Sequence, residues 1–129
     1  IPAFTVQATT SSSTASTIAP GFQHTCTVLD NASVKCWGYN NYGQLGIDST
    51  WTTGNTSGDM ASLTGINLGT GRTATAIATG DHHNCAILDN SSVKCWGLNN
   101  RGQLGINSTT NMGNSSSTTD MASLDSVDL

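Results

Sequence analysis

At 129 residues the chain suits one ordinary domain or a short repeat array, and its 36% hydrophobic content is low for a single large core. Ser and Thr fill 36 positions and Glu is absent, a composition that favours strands and turns over helices and predicts an all-β fold. The net charge of −4 leaves four basic residues, Lys35, Arg72, Lys94 and Arg101, too scattered to track a phosphate backbone, and no apolar run approaches the ~20 residues of a membrane span, so neither nucleic acid nor a membrane span is expected.

The chain opens Ile1-Pro2-Ala3-Phe4, with neither a start Met nor a signal peptide, and reads as a processed end or a fragment. An extended run, Phe4-Thr5-Val6-Gln7-Ala8, leads into Thr9-Thr10-Ser11-Ser12-Ser13-Thr14, a flexible linker or a carrier of O-glycans. Residues 1–16 are therefore set apart as an extended Ser/Thr-rich segment.

The remainder repeats itself. His24-Thr25-Cys26-Thr27-Val28-Leu29-Asp30-Asn31 returns as His83-Asn84-Cys85-Ala86-Ile87-Leu88-Asp89-Asn90, and Ser33-Val34-Lys35-Cys36-Trp37-Gly38 returns as Ser92-Val93-Lys94-Cys95-Trp96-Gly97, each 59 residues on. Asp59-Met60-Ala61-Ser62-Leu63 returns 61 residues later as Asp120-Met121-Ala122-Ser123-Leu124, so the intervening loop is two residues longer in the second copy. A repeat of this period points to a propeller, solenoid or array. The divisions are 17–75 for repeat 1 and 76–129 for repeat 2, the latter with an incomplete C-terminal strand.

Within each copy, Cys26, Val28, Val34 and Cys36 alternate with Thr27 and Lys35, the period-2 pattern of a half-buried strand pair. A turn at Asp30-Asn31-Ala32, centred on Asn31, sets residue 26 opposite 36 and 28 opposite 34. The cysteines then face each other at disulfide range, predicting Cys26–Cys36 and, about Asn90, Cys85–Cys95. A zinc site is the competing reading, but the cysteines are ten apart and no Cys-x-x-Cys knuckle is present. Paired cysteines in a short chain place it outside the cell or on its surface.

After each hairpin comes Trp-Gly. Trp37 and Trp96 offer apolar faces for packing between neighbouring repeats, with sugar binding as the alternative. Gly38, Gly43 and Gly46, with Gly97, Gly102 and Gly105, mark tight turns at positive φ. Gln44-Leu45 and Gln103-Leu104 are expected to form a short buried strand, with the amide tying the turn.

The pattern His-x-Cys-x-x-Leu-Asp-Asn-x-Ser-Val-Lys-Cys-Trp-Gly-x-Asn-Asn-x-Gly-Gln-Leu-Gly, at 24–46 and 83–105, resembles the regulator-of-chromosome-condensation repeat family. Its secreted branch, which carries paired cysteines, is the most similar, and residues 65–78 share that likeness. The resemblance covers residues 17–129. It implies a β-propeller of four-stranded antiparallel blades, commonly seven to a ring. It also implies binding functions: nucleotide exchange on a small GTPase, chromatin contact, or inhibition of a β-lactamase. None of these transfers residue by residue, because the shared positions are scaffold. The acidic charge and paired cysteines argue against the nuclear roles.

Two blades are too few to close a ring alone, and bare edges invite pairing. The end Ser126-Val127-Asp128-Leu129 matches Gly65-Ile66-Asn67-Leu68, yet nothing follows it to match the strand at 73–78. The expectation is that the N-terminal strand of one chain completes the sheet left open at the C-terminus of the next, giving a head-to-tail polymer. A cropped piece of a longer propeller, with further repeats as partners, is the alternative.

Five Asn-x-Ser/Thr sequons occur, at Asn31, Asn55, Asn90, Asn107 and Asn114, with Asn31 and Asn90 at the hairpin tips best placed to carry glycans. Catalysis finds no support: the Asp residues form no convincing pair, and no Gly-x-Ser-x-Gly elbow is present. His24 and His83 recur with the repeat and suit structural hydrogen bonds. Asp30, Asp48, Asp59, Asp89 and Asp120 lack the Ca²⁺-loop spacing, so no metal or cofactor is expected. The reading is a non-catalytic structural protein of a surface fibre or repeat array. The alternative is a binding module that recognises a protein or glycan through loops 47–58 and 106–119, with Trp51, present in one copy alone, as its anchor.

Overall fold

The computed structural model describes residues 14–129; the extended run at 4–8, expected to complete a neighbouring sheet, lies outside them. The architecture is all-β, as the composition predicts. β1 (Ala15–Pro20), β2 (His24–Leu29) and β3 (Val34–Gly38) form one antiparallel meander. β4 (Ala74–Thr79), β5 (His83–Leu88) and β6 (Val93–Gly97) form a second with the same strand order. Two short helical pieces interrupt the long loops, α1 (Asp59–Ser62) and a 3₁₀ turn (Met121–Ser123). The divisions drawn from sequence at 16/17 and 75/76 fall inside β1 and β4.

The hairpins follow from their tips. Ala32 N–H donates to Leu29 O, and Leu29 N–H donates to Ser33 O, both at 2.9 Å, closing a three-residue loop over Asp30-Asn31-Ala32. The third loop residue is left-handed, with φ 66° at Ala32 and 69° at its twin Ser91. This geometry sets the register, Cys26 opposite Cys36 and Val28 opposite Val34, with Cys85 opposite Cys95 and Ile87 opposite Val93.

Two expectations need correction. The four-stranded blade implied by the family resemblance is three strands plus fragments of a fourth. Gly38 and Thr53 exchange hydrogen bonds of 2.7 and 3.2 Å, and Ile66 N–H reaches Val34 O at 2.8 Å. Gly97 with Met112, and Val127 with Val93, repeat these contacts on β6. Between the two points on β3 the chain carries Gly54, Gly58 and α1, so no alternating run remains to zip a full ladder. The residues at 126–129 thus run beside β6 as 65–68 run beside β3, and the second sheet has the same three strands as the first.

Gln44-Leu45 and Gln103-Leu104 are likewise turns rather than strands. Gly43 and Gly46, at φ 82° and 65°, lie three apart and bend the chain twice, closing Gly43 N–H to Asn40 O and Gly46 N–H to Gly43 O. The amide ties the turn as expected, Gln44 Oε1 accepting from Tyr42 N–H at 2.9 Å and Gln103 Oε1 from Arg101 N–H at 2.8 Å.

Candidate functional site: two bare sheet faces

Each sheet has two unlike faces. One carries the disulfide, with Cys26, Val28, Val34 and Cys36 on the first sheet and Cys85, Ile87, Val93 and Cys95 on the second. The other carries the Trp, with Thr27, Leu29 and Trp37 on the first sheet and Ala86, Leu88 and Trp96 on the second. Inside the chain, the disulfide face of the first sheet packs on the Trp face of the second in one shared core. His24 donates Nε2–H to Asn84 Oδ1 at 2.7 Å across that junction, and Asn84 Nδ2 and Trp96 Nε1 both donate to Gln44 O. Asp48 Oδ1 accepts from Met121 N–H at 2.7 Å.

Among the described residues the outward faces are covered less completely: Thr27, Leu29 and Cys95 are still buried on them, but several other twins are not. Val28 is 3% exposed, whereas its twin Ile87 is 46% exposed. Met121 is fully buried, whereas Met60 is 48% exposed. Trp96 is buried where Trp37 is half-buried, and Cys26 and Val34 are buried where Cys85 and Val93 are half-buried. The bare disulfide face of the second sheet forms an open groove of about 260 Å³ along Ile77, Cys85, Ile87 and Val93. The bare Trp face of the first sheet forms a second, of about 300 Å³, between Leu29, Trp37 and Met60. One molecule therefore carries, on opposite faces, the two halves of the junction it has already made once inside itself.

The structure joins Cys26 to Cys36 and Cys85 to Cys95, with Cα–Cα distances of 4.1 and 4.0 Å. Among the described residues no group of three or more His, Cys, Asp or Glu is arranged to hold a metal. Of the two Trp residues expected between repeats, Trp96 is there and Trp37 lies on the outward face. His24 makes its cross-junction hydrogen bond, while its twin His83 is half-buried on the bare disulfide face. Burial pulls the His83 pKa below its ordinary 6.5, against the raising effect of Asp81 and with a smaller lowering from His24.

Trp51 is 78% exposed, in the loop between β3 and α1. Asn31, Asn55, Asn90 and Asn107 are exposed, and Asn114 is partly buried. Asp30 accepts from Thr14 Oγ1 at 3.0 Å, Asp59 from the backbone of Gly54 and Thr56, Asp89 from Thr73 N–H, and Asp120 from Ser123 N–H.

Two features escaped the sequence reading. Asn40 is a buried clamp: Nδ2 donates to Ser49 O and Trp51 O, and Oδ1 accepts from Leu45 N–H at 2.9 Å. Asn99 makes the same three contacts in the second copy, so its recurrence in the repeat was the available signal. The second is an aromatic group spanning the repeats, in which Phe22, Tyr39 and Tyr42 lie 5.7, 6.0 and 5.1 Å from the His82 ring. These positions do not recur, since the second copy has Asp81, Leu98 and Arg101 in place of Phe22, Tyr39 and Tyr42.

Comparison with known proteins agrees with this geometry. Residues 16–44 and 74–103 each match the regulator of chromosome condensation (RCC1) repeat. The chain is 31% identical over 90 residues to the probable E3 ubiquitin-protein ligase HERC4 of Homo sapiens, which covers 70% of this chain and 8% of that protein. Human WBSCR16 superposes with a TM-score of 0.62 at 19% identity, over 89% of this chain and 26% of that one. Yeast RCC1 (Prp20), in its complex with Kap60, superposes at 0.55 with 22% identity, over 75% and 23%. The chain thus spans a small part of each protein it matches. With its two matched repeats and blade-like sheets, the chain belongs to the regulator of chromosome condensation-like repeat family.

Proposed function

We propose that this chain is a non-catalytic structural unit that works outside the cell by stacking, head to tail, on further blades of its own kind. The observation that carries the reading is the mismatch in exposure between twin residues: Val28 against Ile87, and Met121 against Met60. Each bare face is chemically the counterpart of a face that is covered inside the chain. A second copy offers both, so the bare disulfide face of one molecule meets the bare Trp face of the next. Such a contact is heterologous, and repeating it gives a ring or a filament according to the rotation per step. Two disulfides support an oxidising location. Strand addition by residues 4–8 would reinforce the same head-to-tail order. The test is electron microscopy and sedimentation velocity of the full chain: rods, rings or concentration-dependent oligomers are expected, and a monomer at high concentration contradicts the reading.

The exposure of Trp51 favours a second reading, a binding module. Yeast RCC1, which this chain resembles in fold, has been crystallised with Kap60 bound to it. Trp51→Ala separates the two readings, since it removes partner capture by a binding module and leaves stacking intact.

A further inference from the structure

We infer that Asn31 and Asn90 are acceptor sites for N-linked glycans and that Asn114, with an equally good sequence motif, is not. Both tips share one local geometry. Asn31 Oδ1 accepts from Ser33 N–H at 3.1 Å and from Ser33 Oγ–H at 2.7 Å. Asn90 Oδ1 accepts from Ser92 N–H and Oγ–H at the same two distances. The sequon hydroxyl is thereby held against its own amide, whose oxygen is occupied in both cases, and both Asn residues are exposed at a hairpin tip.

The other sequons are arranged differently. Asn114 is partly buried, its Oδ1 is enclosed with no partner, and a Cβ added to Gly43 would lie 2.7 Å from Asn114 Cβ, so this residue is wedged against the neighbouring turn. Asn55 Oδ1 takes a long 3.4 Å contact from Thr56, the middle residue of its sequon, rather than from Ser57. In the Asn107 sequon, Ser108 O is held by the Asn99 clamp.

The chemistry is transfer from a polyprenyl-diphosphate-linked oligosaccharide by a membrane transferase. A bond forms between the Asn Nδ2 and the anomeric carbon of the sugar, the bond from that carbon to the diphosphate breaks, the amide gives up one proton, and the lipid diphosphate leaves. The glycan is compatible with stacking: the Asn31 tip stays exposed although its sheet already sits in a completed blade junction. The inference stands whether or not copies assemble.

The test is secretion of the full chain through a eukaryotic secretory pathway, followed by intact mass and by enzymatic deglycosylation in heavy-oxygen water with peptide mapping. Two glycans are expected, at Asn31 and Asn90, with Asn114 unlabelled. Ser33→Ala and Ser92→Ala each keep the backbone hydrogen bond to the Asn and should each remove one glycan; Ser33→Thr should keep it. Unmodified Asn31 and Asn90 in folded, disulfide-bonded chain, or occupancy at Asn114 matching theirs, overturns the inference.

Discussion

His24 Nε2 and Asn84 Oδ1 lie 2.7 Å apart, sixty residues apart in sequence and on facing sheets, and both residues are buried. Asn84 spends its other polar group on Gln44 O, so a single side chain satisfies two elements of the first repeat. Asn84→Ala leaves the His24 Nε2–H and the Gln44 carbonyl without this partner in the core. It should cost about 2–3 kcal/mol of stability, read as a drop in the urea midpoint at unchanged m-value.

The twin of Asn84 is Thr25, so in a junction between copies His83 meets a shorter side chain than His24 meets inside the chain. Thr25→Asn should supply the missing partner. A gain of about 1 kcal/mol for one buried hydrogen bond corresponds to roughly fivefold tighter self-association, measurable by sedimentation equilibrium. No change in association would show that copies do not reproduce the internal junction.

The two disulfides should differ in accessibility. Cys26 and Cys36 are fully buried at the internal junction, whereas Cys85 is half-buried on the bare face. Under mild reductant and alkylation, mass spectrometry should find Cys85–Cys95 opened first. Each bridge closes a ten-residue separation, and its loss should cost about 2–3 kcal/mol. Assembly should protect the second bridge.

His83 gives the pH dependence. Its pKa lies below 6.5 in the folded chain because burial disfavours the cation. As pH falls below about 6.5 the unfolded chain takes up the proton more readily, so the folded state loses stability on the acid side and none through this group above it. Stacking buries His83 further, so assembly should weaken over the same acidic interval. His83→Gln should flatten that part of the profile in light scattering.

Much of this architecture was legible in the chain. The register of both hairpins followed from alternation about Asn31 and Asn90, because a three-residue loop fixes which residues face each other. The Gln44-Leu45 turn looks like a strand in sequence, since a buried polar–apolar pair is alike in both settings and the two flanking glycines decide the matter. The fourth strand implied by the resemblance is reduced because Gly54, Gly58 and α1 interrupt the run that would have paired with β3. The bare faces could not be read at all. Val28 and Ile87 occupy equivalent positions with the same apolar chemistry, and tertiary packing alone makes one buried and the other exposed.

Head-to-tail stacking is tested most directly by capping one face at a time. Ile87→Asp puts a charge on the bare disulfide face, and Met60→Asp puts one on the bare Trp face, both at exposed positions outside the internal core. Sedimentation velocity should show each variant alone as a monomer, because every contact would need the altered face. An equimolar mixture should give a 1:1 dimer and nothing larger, since one intact face remains on each partner. Higher oligomers from either variant alone, or no dimer in the mixture while the unaltered chain assembles, would contradict the account.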